Sequence, residues 1–167
     1  MTTSVDGAAS VLRRGLLWVA AITCAGIAVE LAVDRHWTTP IQLVAWIALA
    51  VTAIAIVLVA AAGSAARVRL GRILAVVVML SAVLGVWEHV ESNYDAGELD
   101  FEYAASWENL SEPARWWLAA TKTVGPSPPL APGALAQASL CVLLATLRHP
   151  ALRPGPPTRP KAPGSAE

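Results

Sequence analysis

The chain has 167 residues, of which 56% are hydrophobic and only 14% charged, with a formal net charge of zero. A water-soluble domain usually carries about a quarter charged residues, so much of this surface need not face water. The neutral balance gives no basic field for nucleic acid, and two cysteines inside apolar runs, Cys24 and Cys141, exclude a disulfide framework.

Residues 1–10 are small and polar and are expected to be disordered. The first span is expected over 15–33, uncharged except for Glu30. Its apolar stretch is longer than the core of a cleaved signal peptide, so it reads as a retained helix. The second span, 41–62, carries no charge; Pro40 stands before it and Gly63 after it, where a start and a C-terminal cap are expected. The third, 70–90, has a shorter uncharged part, which Arg72 extends by snorkelling outward. A segment over 91–130 follows that is too long for a simple connection and holds Tyr94, Phe101, Tyr103, Trp107, Trp116 and Trp117. Within it, Ser111, Glu112 and Pro113 predict the start of a helix running to about Lys122, with its Trp pair at a membrane interface. Leu99–Tyr103 alternates like a strand, and a short helix from Phe101 to Leu110 is an equal alternative. The fourth span is expected over 131–148, with Pro132 in its first turn. The tail, 149–167, is Pro-rich and basic and is expected to be disordered.

These segments predict an all-α membrane protein: four transmembrane helices in an antiparallel up-down bundle within residues 11–148, with a structured outer loop between helices three and four. Orientation follows from the basic residues. With four crossings, nine of the twelve fall on one side, before span one, between spans two and three, and after span four. The positive-inside rule puts that side, with both termini, in the cytoplasm of a cell membrane. Ten of the twelve acids fall on the other side, which topology alone does not require. Composition rich in Ala and Arg suggests a bacterial source. Seven Trp against two Tyr and one Phe suit a protein with two membrane–water interfaces.

Lipid supplies no hydrophobic drive between helices, so contacts are expected at small residues. Ala20, Cys24, Ala28 and Ala32 form one such stripe; Gly133, Cys141 and Ala145 form another with Gln137 in register. Candidate site residues gather on the outward halves of the spans: Glu30 and Asp34 one turn apart, His36 in the adjacent loop, Glu88, His89 and Glu91 at the end of span three, and Gln137 on span four. Gln42 belongs to the same layer and lies beside the loop. An ionisable group within a span is a functional candidate because its burial in lipid is costly. Glu30, about 9 Å from the midplane by helical rise, is expected to face the bundle interior and meet His89 or Glu88.

Three functions are open from sequence. One is a small non-catalytic accessory or binding module that uses its acidic, aromatic-rich outer face on a membrane-protein partner or another copy of itself, with the lipid bilayer around it. The second is an outward-facing site for a divalent metal, structural or enzymatic, on His36, His89 and Glu88; the spacing matches no HExxH pattern. The third is a proton- or cation-coupled transporter with Glu30 as carrier, although no acid continues a path through the inner halves of the spans. Catalytic residues are not indicated by any motif.

Overall fold

A computed structural model gives the fold. It describes residues 2–61 and 63–153, with side chains from residue 7 onward. Among these residues there are helices and turns and no strand. The principal helices are α1 (Thr2–Val33), α2 (Leu43–Ala60), α3 (Ala65–Ala96), α4 (Glu112–Ala120) and α5 (Ala131–Ala145). Three of them are long and apolar enough to cross a membrane: Gly7–Val33 of α1, α2, and Ala65–Leu99, which begins with α3. Helix α5 is apolar and shorter.

Several boundaries differ from the sequence expectation. Helix α1 starts at Thr2, because no proline interrupts the run into the first span; residues 2–10, expected to be disordered, belong to it. Helix α3 extends at both ends of the expected 70–90 for the same reason. Its 32 residues span about 48 Å at 1.5 Å per residue, against about 30 Å of hydrocarbon. Of the tail expected to be disordered, Pro150–Leu152 forms a 3-10 turn, and 154–167 lie outside the described residues.

Helix ends show how the chain turns without the usual glycine. At the end of α1, Arg35 takes φ 51°. The amides of Arg35 and His36 donate to Ala32 O and Leu31 O, the paired bonds of a Schellman cap. Lys122, at φ 57°, closes α4 in the same way, with Lys122 and Thr123 donating to Ala119 O and Leu118 O. A cationic residue at either place also suits the negative end of the helix dipole. Gln42 binds the α1–α2 turn together: its Oε1 accepts from Thr38 N at 2.8 Å, Thr38 Oγ1 at 2.9 Å and Thr39 N at 3.2 Å.

Helix α5 packs on α1 and α3, and α2 packs on the same two, with a lesser contact between α2 and α5. Helices α1 and α3 therefore occupy opposite corners. The core between them holds Ala20 and Cys24 of α1, Ala55 and Val59 of α2, Ala75 and Val78 of α3, and Ala138 and Cys141 of α5. Both cysteines are free and buried in this one cluster. Small residues allow the close approach. A Cβ on Gly71 would meet Val59 of α2, and one on Gly85 would meet Pro132 of α5. Gln137 departs from its expected place: it is exposed on the flank of α5 while Ala138 and Cys141 turn inward. Large apolar side chains, among them Ile22, Ile54, Val57, Leu80 and Leu84, point away from the bundle. An exposed apolar belt on long helices is what a lipid environment accommodates.

The short α5 is pinned at both ends. At its end, Arg72 Nε donates to Thr146 Oγ1 at 2.6 Å and Nη2 to Thr146 O at 2.9 Å, while Arg13 Nε donates to Ala145 O at 3.0 Å. Two guanidiniums from two other helices thus satisfy carbonyls that the last turn leaves open. At its start, Pro132 lies under Gly85, and the preceding Pro128 carbonyl accepts from His89.

Candidate functional site

Residues 87–130 fold into a cap on one end of the bundle, opposite Arg13 and Arg72. Its framework is a run of aromatic rings. Trp87 of α3 stacks on Trp116 of α4 at 5.2 Å between centroids, Trp116 stacks on Tyr94 at 4.4 Å, and Tyr94 meets Trp107 edge-on at 5.5 Å. Arg115 lies over the Tyr94 face at 5.6 Å, a cation–π contact. Trp107 is fully buried, packed with Ala119 and Val124 in a small second core. Gly97 is required there, because any Cβ would overlap the Trp107 indole.

One polar residue joins the cap to α3. Asn93 is completely buried. Its Nδ2 donates to Ala119 O at 3.1 Å and to Ser127 O at 2.7 Å, and its Oδ1 accepts from Ser127 N at 2.8 Å. Gly125 packs directly on Asn93 with φ +77°, a conformation open to glycine. Ser92 Oγ and Ser127 Oγ are 3.2 Å apart, and His89 Nδ1 lies 2.8 Å from Pro128 O. Because a carbonyl only accepts, Nδ1 of His89 carries the proton. The segment 97–110 is neither the strand nor the continuous helix that the sequence allowed. It is two 3-10 turns, Gly97–Leu99 and Trp107–Asn109, with Asp100 Oδ1 accepting from Glu102 N at 3.0 Å and Tyr103 N at 3.3 Å between them. The helix expected from Ser111 forms over Glu112–Ala120, with Ser111 extended at its N-cap and Pro113 in its first turn.

The residues singled out from sequence do not gather into one site. Glu30 and Asp34 are exposed on α1. The expected meeting of Glu30 with His89 or Glu88 does not occur, since α1 and α3 stand at opposite corners and His89 is bonded to the cap. His36 is half-buried in the α1–α2 turn, where its carbonyl accepts from Trp46 Nε1 at 2.8 Å. Glu88 and Glu91 are exposed on the outside of α3, and Gln137 is exposed on α5. Among the described residues no group of three His, Cys, Asp or Glu side chains is close enough to hold a metal ion. The set chosen for metal, His36, His89 and Glu88, is therefore divided between two different corners.

Sequence reasoning passed over Asn93. It lies beyond the apolar run of span three, where a polar residue is expected to face water. Two glycines, Gly97 and Gly125, were the available signal, since each marks a close approach in a segment otherwise rich in large rings.

What the cap leaves exposed is as definite as what it buries. Phe101 is 104% exposed and Leu99 87%. They stand among the exposed acids Asp95, Glu98, Glu102 and Glu108. Leu99 and Phe101 follow closely on Gly97, which packs against Trp107 where α3 gives way to the first 3-10 turn. No family model, no curated protein and no solved structure matches this chain.

Proposed function

We propose that the protein is a small non-catalytic accessory module of a cell membrane that binds a membrane-protein partner through the tip of its cap. All four of α1, α2, α3 and α5 cross the bilayer, alternating in direction, with both termini cytoplasmic and the cap outside. The alternation is supported by which ends meet: the start of α3 lies on the end of α2 at Gly71 and Val59, and the start of α5 lies on the late part of α3 at Pro132 and Gly85. The orientation is supported by the basic residues gathered at the end opposite the cap.

The observation that carries the binding role is the exposed pair Leu99 and Phe101, held on the packed support that Trp107 and Asn93 build. Apolar side chains fully open to water at the apex of an ordered structure are disfavoured unless another surface covers them. The surrounding acids select a partner with a basic rim around an apolar pocket. A photo-reactive amino acid at position 101, in intact cells, tests this. One discrete protein adduct is expected, lost when Glu98 and Glu102 are both changed to Lys. An adduct with a second copy of this chain would make the partner a homo-oligomer. Adducts with lipid alone, or no discrete adduct, would refute the role.

A further inference from the structure

At the end of the bundle away from the cap, α1 and α2 separate and leave an open cavity of ≈ 560 Å³. Its two halves differ in chemistry. Toward the bundle the walls are apolar, from Leu17 and Ala21 of α1 and from Ile56, Val59 and Ala60 of α2. Toward the end of the helices the lining is Ser10, Arg13, Arg14 and His149. Trp18 stands on the same face of α1 between the two halves and is 69% exposed.

The cationic half has unused capacity. Arg13 is held in place by its Nε bond to Ala145 O, and its terminal nitrogens make no hydrogen bond among the described residues. Arg14 is exposed and makes none. Arg72, bonded to Thr146 through Nε and Nη2, adds a third positive charge nearby. Burial, then Arg13, then Arg72 hold the His149 imidazole below its usual pKa. Every carboxylate whose side chain is described belongs to residues 30–34 or 88–112, toward the other end.

We propose that this cavity is a binding site for an anionic phospholipid, with the headgroup phosphate on Arg13 and Arg14 and an acyl chain along Leu17, Trp18 and Ile56. Charge complementarity selects the occupant. A fixed guanidinium with N–H groups unused among the described residues, beside a second one, matches a phosphate's oxygens, and apolar walls from two long apolar helices match a lipid chain rather than a soluble anion. Basic pockets between helices at a membrane surface take anionic headgroups for these reasons. The indole of Trp18 is suited to the level where headgroup meets chain. The inference rests on the preceding reading only in placing this end of the bundle at a membrane–water interface.

The full chain, purified in detergent and stripped of lipid, would be titrated with phosphatidylglycerol, with phosphatidylcholine of the same acyl chains, and with inorganic phosphate, bound lipid being counted by native mass spectrometry. Phosphatidylglycerol is expected to bind at least about ten-fold more tightly than phosphatidylcholine. Arg14→Gln should weaken it about five-fold, the loss of one lipid-facing cation. Ile56→Trp, which fills the apolar half, should abolish the preference. Arg14 is exposed, so its replacement leaves the fold intact, and thermal unfolding of both variants without lipid checks this. Equal binding of the two lipids, or variants that bind like the parent, would overturn the proposal. Inorganic phosphate competing as well as the lipid would overturn the lipid assignment in favour of a soluble anion. Because binding is read in detergent, a wrong orientation in the membrane would leave this result unchanged and would appear only in accessibility labelling.

Discussion

At the cap end, Asn93 is wholly buried with its amide in three hydrogen bonds, and four aromatic rings pack in sequence above α3. At the opposite end, Arg13 and Arg14 line an open cavity, and among the described residues part of their donor capacity is unused. The same bundle thus ties one end together through a buried amide and stacked rings, and at the other end leaves guanidinium groups lining an open cavity. The comparison teaches where each end can act. A closely packed cap presents outward side chains, Leu99 and Phe101 among them, and these form the docking surface proposed above. An end with fixed, underused cations between apolar walls suits a small amphiphile that enters it.

The largest effect should come from removing the centre of the cap. Trp107→Ala takes a fully buried indole from a small core, and such truncations cost about 3–5 kcal/mol. Because the cap has its own core, the loss should be local: amide hydrogen exchange over 97–130 should accelerate while α2 and α5 stay protected. Uniform acceleration through the bundle would show that the two ends are one cooperative unit. Next is Arg72→Met, which removes both bonds to Thr146 and exposes the last carbonyls of α5 to an uncompensated environment. A loss of about 1–3 kcal/mol is expected in detergent unfolding, with the cap unaffected.

A smaller effect separates the ends by pH. His149 is held below its usual value of 6.5 by burial first, then by Arg13 and Arg72. The unfolded chain therefore takes up a proton at a higher pH than the folded chain does. Its contribution to stability is complete above pH 6.5 and falls as pH drops below it, until folded His149 is protonated as well. Melting temperatures measured from pH 8 to 5 should decline more steeply for the parent than for His149→Gln, with the two curves parallel above neutrality. Identical slopes would remove His149 from the account. The smallest effect belongs to the middle of the bundle, which neither end controls. Ser139 Oγ is buried on α5 without a hydrogen-bond partner, so Ser139→Ala should be neutral or stabilising within about 1 kcal/mol.

The sequence reading succeeded where one-dimensional signals suffice. Uncharged runs located α2 and α5 within a few residues, and Ser111 with Pro113 located α4. It failed where rotation and neighbour order decide. Glu30 and His89 belong to the same polar layer by residue count, but α1 and α3 are diagonal, which no spacing reveals. Gln137 shares a spacing of four with Cys141, yet the rotation of α5 leaves it outside. The left-handed caps at Arg35 and Lys122 were hidden because that conformation is usually signalled by glycine. The arginine-lined cavity was half visible: the basic residues at that end were grouped from sequence, but the gap between α1 and α2 depends on how the helices splay.

The docking role proposed for the cap depends on the cap lying outside the cell. The direct test is a single cysteine at Phe101→Cys or at Arg67→Cys, in a background where Cys24 and Cys141 are replaced by Ala, labelled in intact cells with a membrane-impermeant maleimide. Position 101 should react at once and position 67 only after permeabilisation. Reaction at 67 and protection at 101 in intact cells would contradict the account.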